Sequence, residues 1–240
     1  MFFNRVCALT YLKNKIVSTK KVEFYSLFYP EKDLFCVEYF FVGEKIDLKE
    51  YRFSQRHKML FAMKSSISLL GDVIRRLAEL KIASLSAGIV VIDGSLECKL
   101  PEEEEIMPKN IFGLSKTTEL LTGNGKSVGI ALSGSTDKKT WYYRFGNVCF
   151  IKLHERSSHI FRLDISDENS LNDLLSSLQQ NAKDPVFLGY PYGLIQTDKM
   201  ARVAKREQSS LRFELLCRVG EKNLKPFLAS MDAHDILDSI

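Results

Sequence analysis

The run Ile89-Val90-Val91-Ile92 is apolar and of strand type, and it stops abruptly at Asp93-Gly94-Ser95-Leu96. A short apolar run bounded by a turn signal reads as a buried strand. A carboxylate at the C-terminal end of such a strand lies where α/β sheets open into the crevices that hold ligands. Asp93 is a hard oxygen donor suited to Mg²⁺ or Mn²⁺. Asp-Gly is also an ordinary turn signal, so on these residues alone both readings stay open.

The segments around this strand set the fold class. Arg5–Leu12, Lys21–Tyr29 and Leu34–Val42 are rich in Val, Phe, Tyr and Leu, with polar breaks between them. They predict three consecutive antiparallel strands. From Leu48 to Ser86 apolar residues recur at three- and four-residue steps, among them Met59, Met63, Ile67, Ile74 and Leu77. This predicts one long helix, or two with a break at Gly71-Asp72. After the Asp93 strand, Pro101-Glu102-Glu103-Glu104-Glu105 reads as a solvated acidic loop. Ile111–Thr117, Val128–Leu132, Trp141–Arg144, Val148–Leu153, His159–Ile165 and Ser210–Val219 read as further strands. Helices are expected over Asp167–Gln180, from Tyr190-Pro191 to about Glu207, and over Lys225–Leu237, where Pro226 suits a first turn. Strands, a helix, an acid-bearing strand, then more strands and helices make a mixed α/β domain. That order is the one expected of a ribonuclease H-like core, a mixed sheet flanked by helices.

At 240 residues one large domain is expected over the whole chain. The formal charge of +4 is compatible with an anionic partner without requiring one. No apolar run approaches the roughly 18 residues needed to cross a membrane, and the first residues lack the pattern of a signal peptide. The five cysteines are odd in number, widely spread and without a Cys-x-x-Cys pair. Reduced thiols in a cytoplasmic protein are therefore expected, rather than a zinc or disulfide scaffold.

A metal site at Asp93 needs further acids. Glu79, in the helix before the strand, is one candidate; its alternative reading is a surface helix charge. Asp198 follows Tyr190 by eight residues. On a helix this places the two within roughly 80° around the axis, so a phenol and a carboxylate can face one cleft; by spacing alone the simpler reading is an aromatic helix start with an exposed acid. Lys116, at a strand end, is either a phosphate contact or an ordinary surface lysine. Arg202, Lys205 and Arg206 form either a basic strip on the last long helix or a solvated face. No phosphate loop, paired-histidine metal motif or nucleophile elbow occurs.

In their order, these pieces resemble the NurA family of archaeal and bacterial nucleases. The resemblance lies in Ile89–Leu96 with its Asp-Gly-Ser-Leu ending, in Ile111–Thr117 with Gly113, Ser115 and Lys116, in Val148–Ile165 with Arg162, and in Gly189–Ala201 with Tyr190-Pro191. It implies a ribonuclease H-like fold and Mn²⁺-dependent cleavage of DNA. It also implies end resection in repair beside a HerA-type hexameric ATPase, and frequent homodimers. Carried onto this chain, Asp93 is a metal-binding acid, Glu79 the acid of the preceding helix and Tyr190 the active-site tyrosine. The family's usual first Asp-Gly-Ser, on an N-terminal strand, has no counterpart before Asp93. Asp198 stands where the family usually carries His; Asp can ligate a hard metal but is a different acid–base group. The expectation is a nuclease with Asp93, Glu79 and Asp198 on Mn²⁺ or Mg²⁺, Tyr190 beside them, and Lys116, Arg202 and Lys205 on DNA. Its alternative is a non-catalytic NurA-like subunit that binds DNA or a HerA-type ATPase.

Overall fold

The protein is described from a computed structural model, which covers residues 2–13, 15–31, 34–49, 52–53, 68–116, 121 and 123–219. The chain divides into two compact units, Met1–Ala201 and Arg202–Ile240.

In the first unit, β1 (Phe2–Leu12), β2 (Lys15–Glu31), β3 (Leu34–Val42) and β4 (Arg52–Phe53) form an antiparallel sheet in that order. The three predicted early strands are present, and β2 extends further toward its N-terminus than expected. β1 and β2 close at Leu12↔Lys15. Lys13, at φ 48, takes the left-handed conformation that a tight hairpin requires.

Helix α1 (Ser68–Ser84) covers this sheet. Val73, Ile74, Leu77, Ala78 and Ile82 cluster with Val6, Val22, Phe24 and Val37, the three- and four-residue spacing of a buried helix face. Each large side chain buried there contributes about 1.5–3 kcal/mol. The expected helix start near Leu48 is corrected, because Arg52 and Phe53 pair with β3 instead. Met59, Met63 and Ile67 lie outside the described residues. No break occurs at Gly71-Asp72. A Cβ at Gly71 would lie 2.8 Å from the Phe2 ring, so this glycine serves close packing.

The second sheet has the order β5-β6-β9-β8-β7. Its strands are β5 (Val90–Asp93), β6 (Ile111–Ser115), β7 (Trp141–Phe145), β8 (Val148–Lys152) and β9 (Phe161–Ile165). β5 and β6 are parallel; the other pairs are antiparallel. Helices α4 (Leu171–Asn181) and α5 (Tyr192–Ala201) bury Leu171, Leu174, Leu178, Leu194 and Ile195 against Phe112, Leu114, Leu163 and Ile151. Leu80 and Ala83 of α1 meet Ile111. Ile111 and Phe112 are neighbours on one strand and point to opposite faces. The mixed sheet is therefore flanked by helices on both faces, α1 on one and α4 with α5 on the other. Among the described residues no helix is long and apolar enough to cross a membrane.

Three further expectations are corrected. Pro101–Ile106 is a short helix, α2, not a loop, and its Glu103 is buried; Pro at the first position and acids in the first turn favour that start. Val128–Gly134 is helix α3, not a strand. The helix after Tyr190-Pro191 ends at Ala201 rather than running on to Glu207.

In the second unit, Lys205–Val219 forms helix α6, where a strand had been expected over Ser210–Val219. Arg202 precedes α6 while Lys205 and Arg206 begin it, so the basic strip on one long helix does not form. The predicted tail helix from Lys225 lies outside the described residues.

Candidate functional site

The parallel pairing of β5 and β6 brings their C-terminal ends together, with Asp93 opposite Leu114. Two residues beyond Leu114 comes Lys116, and its Nζ donates to Asp93 Oδ2 at 2.8 Å. On the same face the Tyr190 hydroxyl donates to Asp93 Oδ1 at 3.0 Å. Tyr190 stands at the entrance to α5 and packs its ring 5.3 Å from that of Phe161. The Lys116 ammonium lies 5.0 Å from the Tyr190 ring centroid, within the range of a cation–π contact. Carboxylate, ammonium and phenol thus touch one another. The Asp93 side chain is 34% exposed and that of Lys116 55%, so the cluster opens to solvent.

Tyr190 is held neutral. Burial foremost, then the charge of Asp93 and its hydrogen bond, then the charge of Asp198, keep the phenol well above the ordinary tyrosine range. Asp198, half-buried on α5, is thus within electrostatic reach of Tyr190, although Tyr190 precedes the helix and the two do not share a helix face. Glu79 is half-buried on α1. Its carboxyl is pushed up by burial first, while Arg75 and Arg76 pull it down and Asp93 adds a further rise. Its nearest charged partners are Arg75 at 3.8 Å and Arg76 at 3.9 Å. The structure therefore joins Asp93, Tyr190 and Lys116 directly. Glu79 and Asp198 lie near enough to be felt electrostatically. Arg202 and Lys205 belong to the second unit.

The loop after Asp93 is closely held. Gly94 has φ 138, a conformation open to glycine alone, and its N–H donates to the Leu114 carbonyl at 3.0 Å. Ser95 Oγ donates to Asp164 Oδ2 at 2.9 Å, and the Leu96 N–H donates to the same oxygen at 2.9 Å. Ser95 Oγ also accepts the Glu97 N–H at 3.0 Å. Arg76 donates to the Ser95 carbonyl at 2.9 Å. Beneath the loop runs Gly113, where a Cβ would come 2.5 Å from the Gly94 carbonyl oxygen. Ser95 thus holds the turn.

Sequence reasoning missed Asp164 and Arg76. Asp164 is buried, and its other oxygen accepts from Arg162 Nε at 2.7 Å. The available signal was Arg162-Leu163-Asp164: two charges two residues apart in an otherwise apolar strand point to one face and are buried only if paired.

A cage for Mn²⁺ or Mg²⁺ requires several oxygen ligands converging on one point. Among the described residues no group of three or more His, Cys, Asp or Glu side chains is placed to hold a metal ion. Both oxygens of Asp93 are engaged, one of them by a cation. In this arrangement the donor set does not fit such a cage.

The chain matches no family model and no curated protein. Among solved structures it is similar to the crystal structure of human ENDOV, at 13% identity over 87% of this chain and 86% of that one, with a TM-score of 0.37. An overlap this loose assigns neither a common fold nor a common activity.

Proposed function

We propose that this chain is a NurA-like protein that acts on DNA, and that it grips the phosphodiester backbone at the Asp93–Lys116–Tyr190 cluster. The observation that carries the reading is Lys116: its ammonium is solvent-open and tethered by Asp93 and Tyr190 at the strand ends. A tethered ammonium needs little ordering to meet a phosphate oxygen, and such contacts supply most non-specific DNA affinity. The Tyr190 phenol keeps its proton and can donate either to Asp93 or to a phosphate. The mixed sheet β5-β6-β9-β8-β7, flanked by helices on both faces and carrying Asp93 at a strand end, supports a ribonuclease H-like core, although the three early strands form a sheet of their own. The proposal extends to DNA-end processing in repair, in the cytoplasm, as a homodimer beside a HerA-type ATPase.

The test is fluorescence anisotropy with labelled linear DNA in EDTA. Lys116→Ala should weaken binding about tenfold and reduce the salt slope by about one. Unchanged affinity and slope would remove Lys116 from the interface.

A second reading, cleavage supported by Mn²⁺ or Mg²⁺, is favoured by Glu79 and Asp198. Asp198 shares the surroundings of Tyr190 with Asp93, and Glu79 lies within electrostatic reach of Asp93, a bias that attracts a cation. Calorimetry with Mn²⁺ and a nuclease assay on single- and double-stranded DNA separate the two readings. Metal binding and cutting that both vanish in Asp93→Asn support the nuclease. DNA binding with neither supports a non-catalytic subunit.

A further inference from the structure

We infer that Asp164 is a positioning residue for this cluster: it clamps the Gly94–Leu96 loop and so holds Asp93 against Lys116 and Tyr190. The inference rests on the DNA-binding reading above. Asp93 lies between two restraints. Before it, the β5 ladder fixes the backbone through its pairing with β6. After it, the chain leaves the sheet, and a loop free to move there would swing the carboxylate away from its partners. There the Gly94 N–H donates to the Leu114 carbonyl, Arg76 donates to the Ser95 carbonyl, and Asp164, on β9 beyond β6, ties down both Ser95 and Leu96 by accepting the Ser95 hydroxyl and the Leu96 N–H on one oxygen.

Burying a carboxylate is costly unless it is paired and hydrogen-bonded. Asp164 is 6% exposed, and Arg162 on its other oxygen balances its charge. The pair therefore adds no net charge near the cluster, and the loop gains a charged acceptor, the stronger kind of hydrogen-bond partner. The two oxygens have separate tasks, one for Arg162 and one for the loop. An amide cannot do both, because its NH₂ must face either the guanidinium or the loop's donors.

The test uses Asp164→Asn in the full chain with two readouts. In hydrogen exchange, the Leu96 amide should exchange about tenfold faster than in wild type, while amides of β2 and β3 stay unchanged. In DNA anisotropy, affinity should fall about tenfold. In an Asp93→Asn background the same change should alter affinity less than twofold, because Asp164 acts through Asp93. Unchanged Leu96 exchange, or a loss of affinity that simply adds to that of Asp93→Asn, overturns the inference. Ser95→Ala leaves the buried Asp164–Arg162 pair intact and guards against misfolding. It should shift both readouts the same way by about threefold, and no shift in either counts against the clamp. If wild type shows no affinity for DNA, the function proposed above fails, and Leu96 exchange alone decides the clamp.

Discussion

Gly113→Ala tests whether the loop after Asp93 is held as tightly as its hydrogen bonds indicate. The new Cβ would meet the Gly94 carbonyl oxygen at 2.5 Å and the Leu96 nitrogen at 3.0 Å. Both are backbone atoms and cannot rotate aside. To regain ordinary contact the Gly94 carbonyl must retreat by about 1 Å. A shift of that size carries the 2.9 Å bonds from Ser95 and Leu96 to Asp164 beyond the normal hydrogen-bond range. Losing one or two bonds to a charged acceptor, with the strain of overpacking, gives about 2–4 kcal/mol of destabilisation. With a urea slope of about 2 kcal/mol per molar, the midpoint should fall by about 1–2 M. Equilibrium urea unfolding followed by circular dichroism measures it. A midpoint within about 0.2 M of wild type, at the same slope, would mean the loop yields without cost and the reasoning is wrong.

Tyr190→Phe removes the donor to Asp93 and should cost about 1 kcal/mol in the same urea assay, at the low end of the range because water can replace the phenol. Tyr190 is raised in the folded state, so its contribution is intact below the ordinary value of 10.0 and is lost as pH rises above it. The wild type should therefore lose stability more steeply than Tyr190→Phe above about pH 10, and identical alkaline profiles would count against the burial and hydrogen bond of the phenol. Burial raises the Glu79 carboxyl most, and Asp93 raises it further. Asp93→Asn should then move the Glu79 titration to lower pH in a carbon-13 NMR experiment, and an unmoved titration would place the two carboxylates out of reach of one another. Cys149 is fully buried and its thiol is pushed up to about 11, chiefly by burial. It should resist a thiol reagent at pH 8 until the protein is unfolded in urea, and fast native labelling would contradict its place in the core.

The early antiparallel strands are legible from their Val, Phe, Tyr and Leu content between polar breaks, the Asp93 strand from an apolar run closed by a turn signal, and the α4 helix from its three- to four-residue spacing. Val128–Gly134 and Ser210–Val219 are not. A short apolar run fits a strand or a helix equally well, and context chooses between them. The acidic run from Glu102 to Glu105 looks like solvated charge, yet Glu103 is buried: it accepts the Lys99 N–H at 3.4 Å and faces Arg76 at 3.9 Å. Those partners lie near it in space, and the identity of a residue does not record its neighbours.

The same distinction runs through the site. By itself the sequence determined that a strand delivers Asp93 to its C-terminal end and that Asp-Gly turns the chain there. These follow from local steric and periodic rules. Only the tertiary structure decided what Asp93 touches. Lys116 comes to it from a parallel strand, Tyr190 from a helix entrance 97 residues away, and the Asp164 clamp from an antiparallel strand. Pairing between distant segments is selected by the burial of whole faces, and hydrogen bonds between particular side chains follow from that selection.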